Sequence, residues 1–125
     1  MSTRFGSAFI ALTLLSACAY VSTIHSETSI DVGQSFLLGG GQAGGFQATV
    51  RNTGPVPVSV LVERAGSRQP VIVLAPDSTI EAELQPREMA IFENRSTGRA
   101  TIKVDIRGGG AGSLGMRYEP TRATR

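Results

Sequence analysis

Six consecutive residues, Gly39-Gly40-Gly41-Gln42-Ala43-Gly44, have the G-x-G-x-x-G spacing that lets backbone amides approach a pyrophosphate. That chemistry needs a strand before the glycines and a helix after them, with the helix N-terminus facing the anion. Residues 46–51 instead alternate apolar and polar, which is a strand pattern, so the glycines are expected to form a loop between strands. A second cluster, Gly108-Gly109-Gly110-Ala111-Gly112, is not followed by the Lys-Ser/Thr of a phosphate-binding loop and is expected to join two strands. The alternative is that both glycine loops form the mouth of a small-ligand or polysaccharide site.

The remaining reactive side chains are few. His25 is the one histidine, and Ser26, Glu27 and Asp31 lie near it in the chain. A catalytic triad needs a scaffold that holds base against nucleophile, and the polar, aperiodic stretch around His25 is expected to be a flexible tether. Glu81 and Glu83 project from one strand face and have the residue types of a glycosidase pair, but alternating charge is also how an exposed strand face is solvated. A single cysteine, Cys18, excludes an intrachain disulfide and a multi-cysteine zinc site. The expectation is therefore a non-catalytic domain with no metal and no cofactor. Its 11 arginines, against one lysine, are scattered and suit cross-strand pairing with glutamates. A net charge of +2 with no basic cluster argues against a nucleic-acid partner. Asn94-Arg95-Ser96 is a glycosylation sequon only in a eukaryotic secretory pathway.

An apolar run of 11 residues, 5–15, follows a lone charge at Arg4. Crossing a bilayer takes roughly 20 apolar residues, so the run fits an export signal and not a membrane span. It ends in Leu15-Ser16-Ala17-Cys18, which resembles the lipobox of bacterial lipoproteins. The resemblance implies cleavage before Cys18, a diacylglycerol thioether on its sulfur, and a signal peptide over residues 1–17. Ordinary secretory cleavage after Ala19 also fits Ala17-Cys18-Ala19 and would leave a soluble secreted or periplasmic product. An unpaired thiol is a liability in an oxidising compartment, which favours lipidation. In the enterobacterial form of the family, Asp after the cysteine retains the protein at the inner membrane. Ala19 there implies the outer membrane, facing the periplasm. The expected partners are the membrane, through the lipid anchor, and another protein of the cell envelope.

After the leader the apolar period is two. Phe46, Ala48 and Val50 alternate with polar residues, as do Ile80, Ala82 and Leu84, then Ile102, Val104 and Ile106, and Leu114, Met116 and Tyr118. Val58, Val60 and Val62 have the same spacing, and because Pro57 lacks an N–H the strand is expected to start after it or to lie at a sheet edge. Val71-Ile72-Val73-Leu74 and Met89-Ala90-Ile91-Phe92 are apolar on both sides and are expected to be central or doubly covered strands. Residues 30–38 are expected to form a first strand broken at Gly33. Phe46, Phe92 and Tyr118 are expected in the core. Ala75-Pro76-Asp77-Ser78 and Gln85-Pro86-Arg87-Glu88 place Pro second in a turn. Residues 50–60 resemble the strand–turn–strand of immunoglobulin-like bacterial adhesion modules, without a Cys…Trp…Cys core. The expected fold is all-β: a small antiparallel sandwich, immunoglobulin-like, or a barrel, of about seven or eight strands. The expected organisation is a signal peptide at 1–17, the lipidated Cys18 and flexible tether at 18–28, the β-domain at 29–119 and a polar tail at 120–125.

Overall fold

The computed structural model describes residues 23–108 and 114–123. Cys18, the signal peptide, the tether up to residue 22 and the glycines at 109, 110 and 112 lie outside the described residues. The alternating segments become nine strands: β1 (Thr23–Ile30), β2 (Gln34–Gly39), β3 (Phe46–Asn52), β4 (Val58–Arg64), β5 (Ser67–Leu74), β6 (Thr79–Leu84), β7 (Met89–Glu93), β8 (Ala100–Arg107) and β9 (Met116–Pro120). Every pairing is antiparallel. Four strands form one sheet in the order β1-β8-β3-β6, and five form the other, β5-β4-β7-β2-β9. The domain is a two-layer β-sandwich with free sheet edges and not a closed barrel.

The inward residues of both sheets make the core: Val50, Ile102, Val104 and Ile106 from the four-stranded sheet meet Phe36, Leu38, Val60 and Phe92 from the other. β8 shows the cause most cleanly. Ile102, Val104 and Ile106 are buried while Lys103, Asp105 and Arg107 between them are exposed, because successive side chains of a strand point to opposite faces. The outer face of the four-stranded sheet is polar, in rows such as Glu27, Lys103 and Arg51.

The five-stranded sheet has a second cluster on its other face: Leu37, Leu61, Met89 and Ile91. Arg68 on β5 covers that side, with Nε 2.7 Å from Glu63 and Nη2 3.1 Å from Glu119 on β9. β5 and β9 are the two edges of this sheet. Four strand spacings of about 4.8 Å would part those edges by about 19 Å if the sheet were flat. A direct Arg68–Glu119 bond therefore requires the sheet to curl over the second cluster. Burial works to lower the pKa of the Arg68 guanidinium, but its bonds to Glu63 and Glu119 outweigh burial and raise it.

The turns follow their residue types. Ala65 and Gly66, both at positive φ, form a two-residue hairpin turn between β4 and β5. The two Pro-containing turns close with Ser78 N–H to Ala75 O and Glu88 N–H to Gln85 O, each 3.1 Å. Their third positions, Asp77 and Arg87, take positive φ, the conformation of a type II turn.

Five expectations are corrected. The tether was expected to reach residue 28, but from Thr23 the chain is strand β1, paired with β8 along its whole length. Two of its inward positions are Ser26 and Thr28, bonded to each other at 3.1 Å, so alternation exists there without an apolar signal. The broken first strand at 30–38 is two strands in different sheets, joined by a turn at Gly33 (φ +75°). Residues 71–74 are neither a central nor a doubly covered strand, because β5 is an edge strand paired only with β4. Tyr118 is not in the core, because β9 is also an edge. Its ring packs on Phe36 with centroids 5.4 Å apart, and its hydroxyl donates to Ser29 O at 3.0 Å. The tail begins after Pro120, which ends β9.

Two predictions follow from the alternation and from the buried asparagine Asn94. Val104→Asp should cost more than about 3 kcal/mol by chemical denaturation, since it buries an unpaired charge, while Lys103→Asp next to it should cost less than about 1 kcal/mol. Asn94 donates from Nδ2 to Ile30 O and Gly98 O at 2.8 Å and accepts from Ser96 N–H at 3.0 Å. Asn94→Ala should lower stability by about 2–3 kcal/mol, because it leaves several buried backbone groups without partners.

Candidate functional site

The residues that suggested chemistry are placed apart. His25 lies on β1, where Nδ1 sits 2.6 Å from Asp105 Oδ1 on β8, both exposed. Ser26 points to the opposite face of β1, so serine and histidine do not meet. Glu81 and Glu83 lie on the exposed face of β6, opposite Thr49 and Gln47 of β3. Asn94, the sequon asparagine, is fully buried. Among the described residues, no three His, Cys, Asp or Glu side chains gather as metal ligands would.

The first glycine loop leads into β3, not into a helix. Its centre is a latch that the sequence did not advertise. Gln42 is fully buried, accepts from Gly40 N–H at 2.8 Å and donates to Glu88 O at 2.9 Å. Arg87 N–H returns a bond to Gln42 O at 3.1 Å. Gly39, at φ +96°, is required here, because a Cβ would lie 2.9 Å from Glu88 O. Glu88 completes the latch: its carboxylate accepts from Gln85 N–H at 2.8 Å and pairs with Arg64. The Gln85 backbone bond lowers the Glu88 pKa, burial opposes that, and the Arg64 guanidinium lowers it further, for a net depression. Near this loop, Gly45, Gln47, Glu83, Arg107 and Gly108 border an open depression of about 470 Å³.

The most unusual surface lies elsewhere. On β5, Val71 is 58 % exposed, Ile72 46 % and Val73 62 %. Edge strands of natural proteins are normally shielded by charge, proline or irregularity, since their free backbone groups invite pairing. β5 has a proline, Pro70, and a register shift opposite Val60 and Leu61, but no charge from residue 71 to 74. Ile72 stands opposite Val60, so it projects on the sandwich side. There a slot of about 330 Å³ enters between the sheets. Ala48, Val50 and Ala82 line one wall, and Val60, Ala90 and Phe92 the other. Its rim carries Val71 and Ile72 on β5 and Glu81 and Glu83 on β6. The other side of β5 borders a second groove of about 330 Å³, lined in part by Leu61, Pro70 and Val73. The Val71–Val73 run was legible in the sequence. Its exposure was not, because only the sheet order makes β5 an edge.

No protein-family model matches this chain, and no curated protein matches it at a significant level.

The Glu88 latch predicts a pH dependence. A carboxyl whose folded pKa is depressed adds stability above its ordinary value of 4.5, and that stability is lost as pH falls through the lower folded value. Stability from urea titrations should therefore drop below pH 4.5. Glu88→Gln should be less stable than wild type by about 1–2 kcal/mol at pH 7 and should show a shallower fall on acidification.

Proposed function

We propose that the chain is an exported, lipid-anchored, non-catalytic β-sandwich that works in the cell envelope by binding another protein. The observation that carries this reading is the exposed apolar edge at Val71, Ile72 and Val73, beside a slot into the core. Large apolar side chains grouped on an otherwise polar surface mark interaction sites, and an edge strand adds unpaired backbone groups that a partner can use. The separation of His25 from Ser26, and the solvated setting of Glu81 and Glu83, support a binding role over a catalytic one. The anchor rests on the lipobox-like Leu15-Ser16-Ala17-Cys18. Two acyl chains on Cys18 would hold the domain stably at a membrane, each buried CH₂ adding about 0.8 kcal/mol.

The anchoring half is tested by fractionation and by mass spectrometry of the N-terminal peptide. Wild-type protein should pellet with membranes through a high-salt wash and carry acyl chains on Cys18. Cys18→Ser should leave an uncleaved precursor or a soluble product. A soluble wild-type protein beginning at Tyr20 would overturn lipid anchoring in favour of ordinary secretion.

A further inference from the structure

We propose that the β5 edge and its adjoining slot take up an extended segment of a partner protein, which adds as a strand beside Val71, Ile72 and Val73. Alternate side chains of that segment are apolar and enter the slot, and it carries Lys or Arg where it passes Glu81 and Glu83.

Three observations converge on this occupant. β5 has a single neighbour, β4, so alternate backbone N–H and C=O groups over residues 71–74 face outward. Water can bond such groups one at a time, but an added polypeptide strand pairs with the whole row at once, while neighbouring pockets read its alternate side chains. The slot lies on the side to which Ile72 projects, where the inward side chains of an added strand would point. Glu81 and Glu83 are the charged groups on the slot's border, and they complement a basic residue.

The joins of this chain's remaining segments favour an occupant from another protein. The segments outside the described residues join the domain at β1, between β8 and β9, and after β9. β1 is the edge of the four-stranded sheet opposite β6, and β9 is the edge of the five-stranded sheet opposite β5. A second copy fits poorly through either edge of its four-stranded sheet. β1 would offer Ser26 and Thr28 to an apolar slot, and β6 would set its carboxylates against Glu81 and Glu83.

The proposal rests on the protein-binding reading above, and the two fail separately. A flat binding titration overturns strand addition alone, whereas a failure to cross-link any envelope protein to the wild-type chain in cells overturns the protein-binding reading itself. The test uses the full mature chain in phosphatidylcholine nanodiscs. The probe is a fluorescent nine-residue peptide alternating valine and threonine, with lysine at both ends. The controls are a scrambled peptide of the same composition and an alternating peptide with glutamate ends. The lysine-ended alternating peptide should bind at least tenfold more tightly than either control and should protect backbone amides at residues 71–74 from exchange. Val73→Lys should weaken binding at least tenfold with an unchanged circular dichroism spectrum and melting temperature. Since Val73 is exposed, folding is not at risk, and Ile72→Thr provides a second variant. The pair Glu81→Gln with Glu83→Gln should abolish the preference for lysine ends and retain the preference for alternation. Equal binding of the scrambled peptide, or no binding, overturns the proposal. So does displacement of the probe by palmitate without amide protection, which assigns the slot to a hydrocarbon. Self-association that Val73→Lys abolishes assigns the edge to a second copy and overturns it as well.

Discussion

Where chain enters and leaves a β-sandwich, backbone carbonyls and amides are buried with no strand beside them to bond to. Leaving such groups without partners costs about 1–3 kcal/mol each, so loops at the ends of the sandwich need internal donors and acceptors. Three fully buried amides, Gln42, Asn52 and Asn94, supply them. Asn52 and Asn94 do so in the same way. Each accepts from the backbone N–H two residues on, at 3.0 Å, and donates to the carbonyl four residues on, at 2.8 Å. Each then donates again to a distant strand end: Asn52 to Leu74 O at 2.9 Å, and Asn94 to Ile30 O at 2.8 Å. Bonds of the first kind shape a turn, while those of the second fasten one strand end to another. Gln42 fastens the first glycine loop to the turn before β7. These three amides tie the loops at the ends of the sandwich to its strands.

The same structure has four sheet edges, and they are protected unequally. β1 displays His25 and Glu27, and β6 displays Glu81 and Glu83. β9 is five residues long and carries Arg117 and Glu119 before it ends at Pro120. Charge, brevity and proline are the usual means of keeping an edge from pairing. β5 has Pro70 and a register shift, which shorten the pairing surface without making it polar. The contrast within one molecule is one of degree: β9 exposes Met116 and Tyr118 between its charges, whereas β5 exposes three consecutive apolar residues with no charge among them, beside an apolar slot.

Most of the fold was legible because inward and outward side chains differ in kind. β3, β6 and β8 could be read off Phe46, Ala48 and Val50, then Ile80, Ala82 and Leu84, then Ile102, Val104 and Ile106. The central strand β7 showed as a continuous apolar run, and Met89, Ala90, Ile91 and Phe92 are all buried. The failures have physical causes. β1 was hidden because Ser26 and Thr28 take inward positions, so its membership is set by the backbone ladder to β8 and not by hydropathy. β5 was misplaced because an apolar run records what a strand could bury, not what covers it. Coverage is a property of sheet order, which follows from long-range pairing. In the sequence Gln42 is only one letter of a glycine motif, since nothing local distinguishes a buried amide from an exposed one. The reading of Leu15-Ser16-Ala17-Cys18 as lipobox-like rests on residue types alone, and those residues lie outside the described ones.

The slot and the second cluster bear on each other. Ala48, Ala82 and Ala90 leave space at one side of the core that larger side chains would fill, and each unfilled methylene forgoes roughly 0.8 kcal/mol of burial. Unfilled space of this kind lowers the stability of a core, and burial elsewhere in the domain offsets it. Here the other face of the same sheet does so. Leu37, Leu61, Met89 and Ile91 form a second apolar cluster under the curl held by Arg68, Glu63 and Glu119. Leu61 and Val60 are adjacent on β4, one facing the cluster and the other the slot. The strand that walls the slot is therefore held from behind. That arrangement lets the edge beyond it stay apolar and open without depending on a partner for the fold itself.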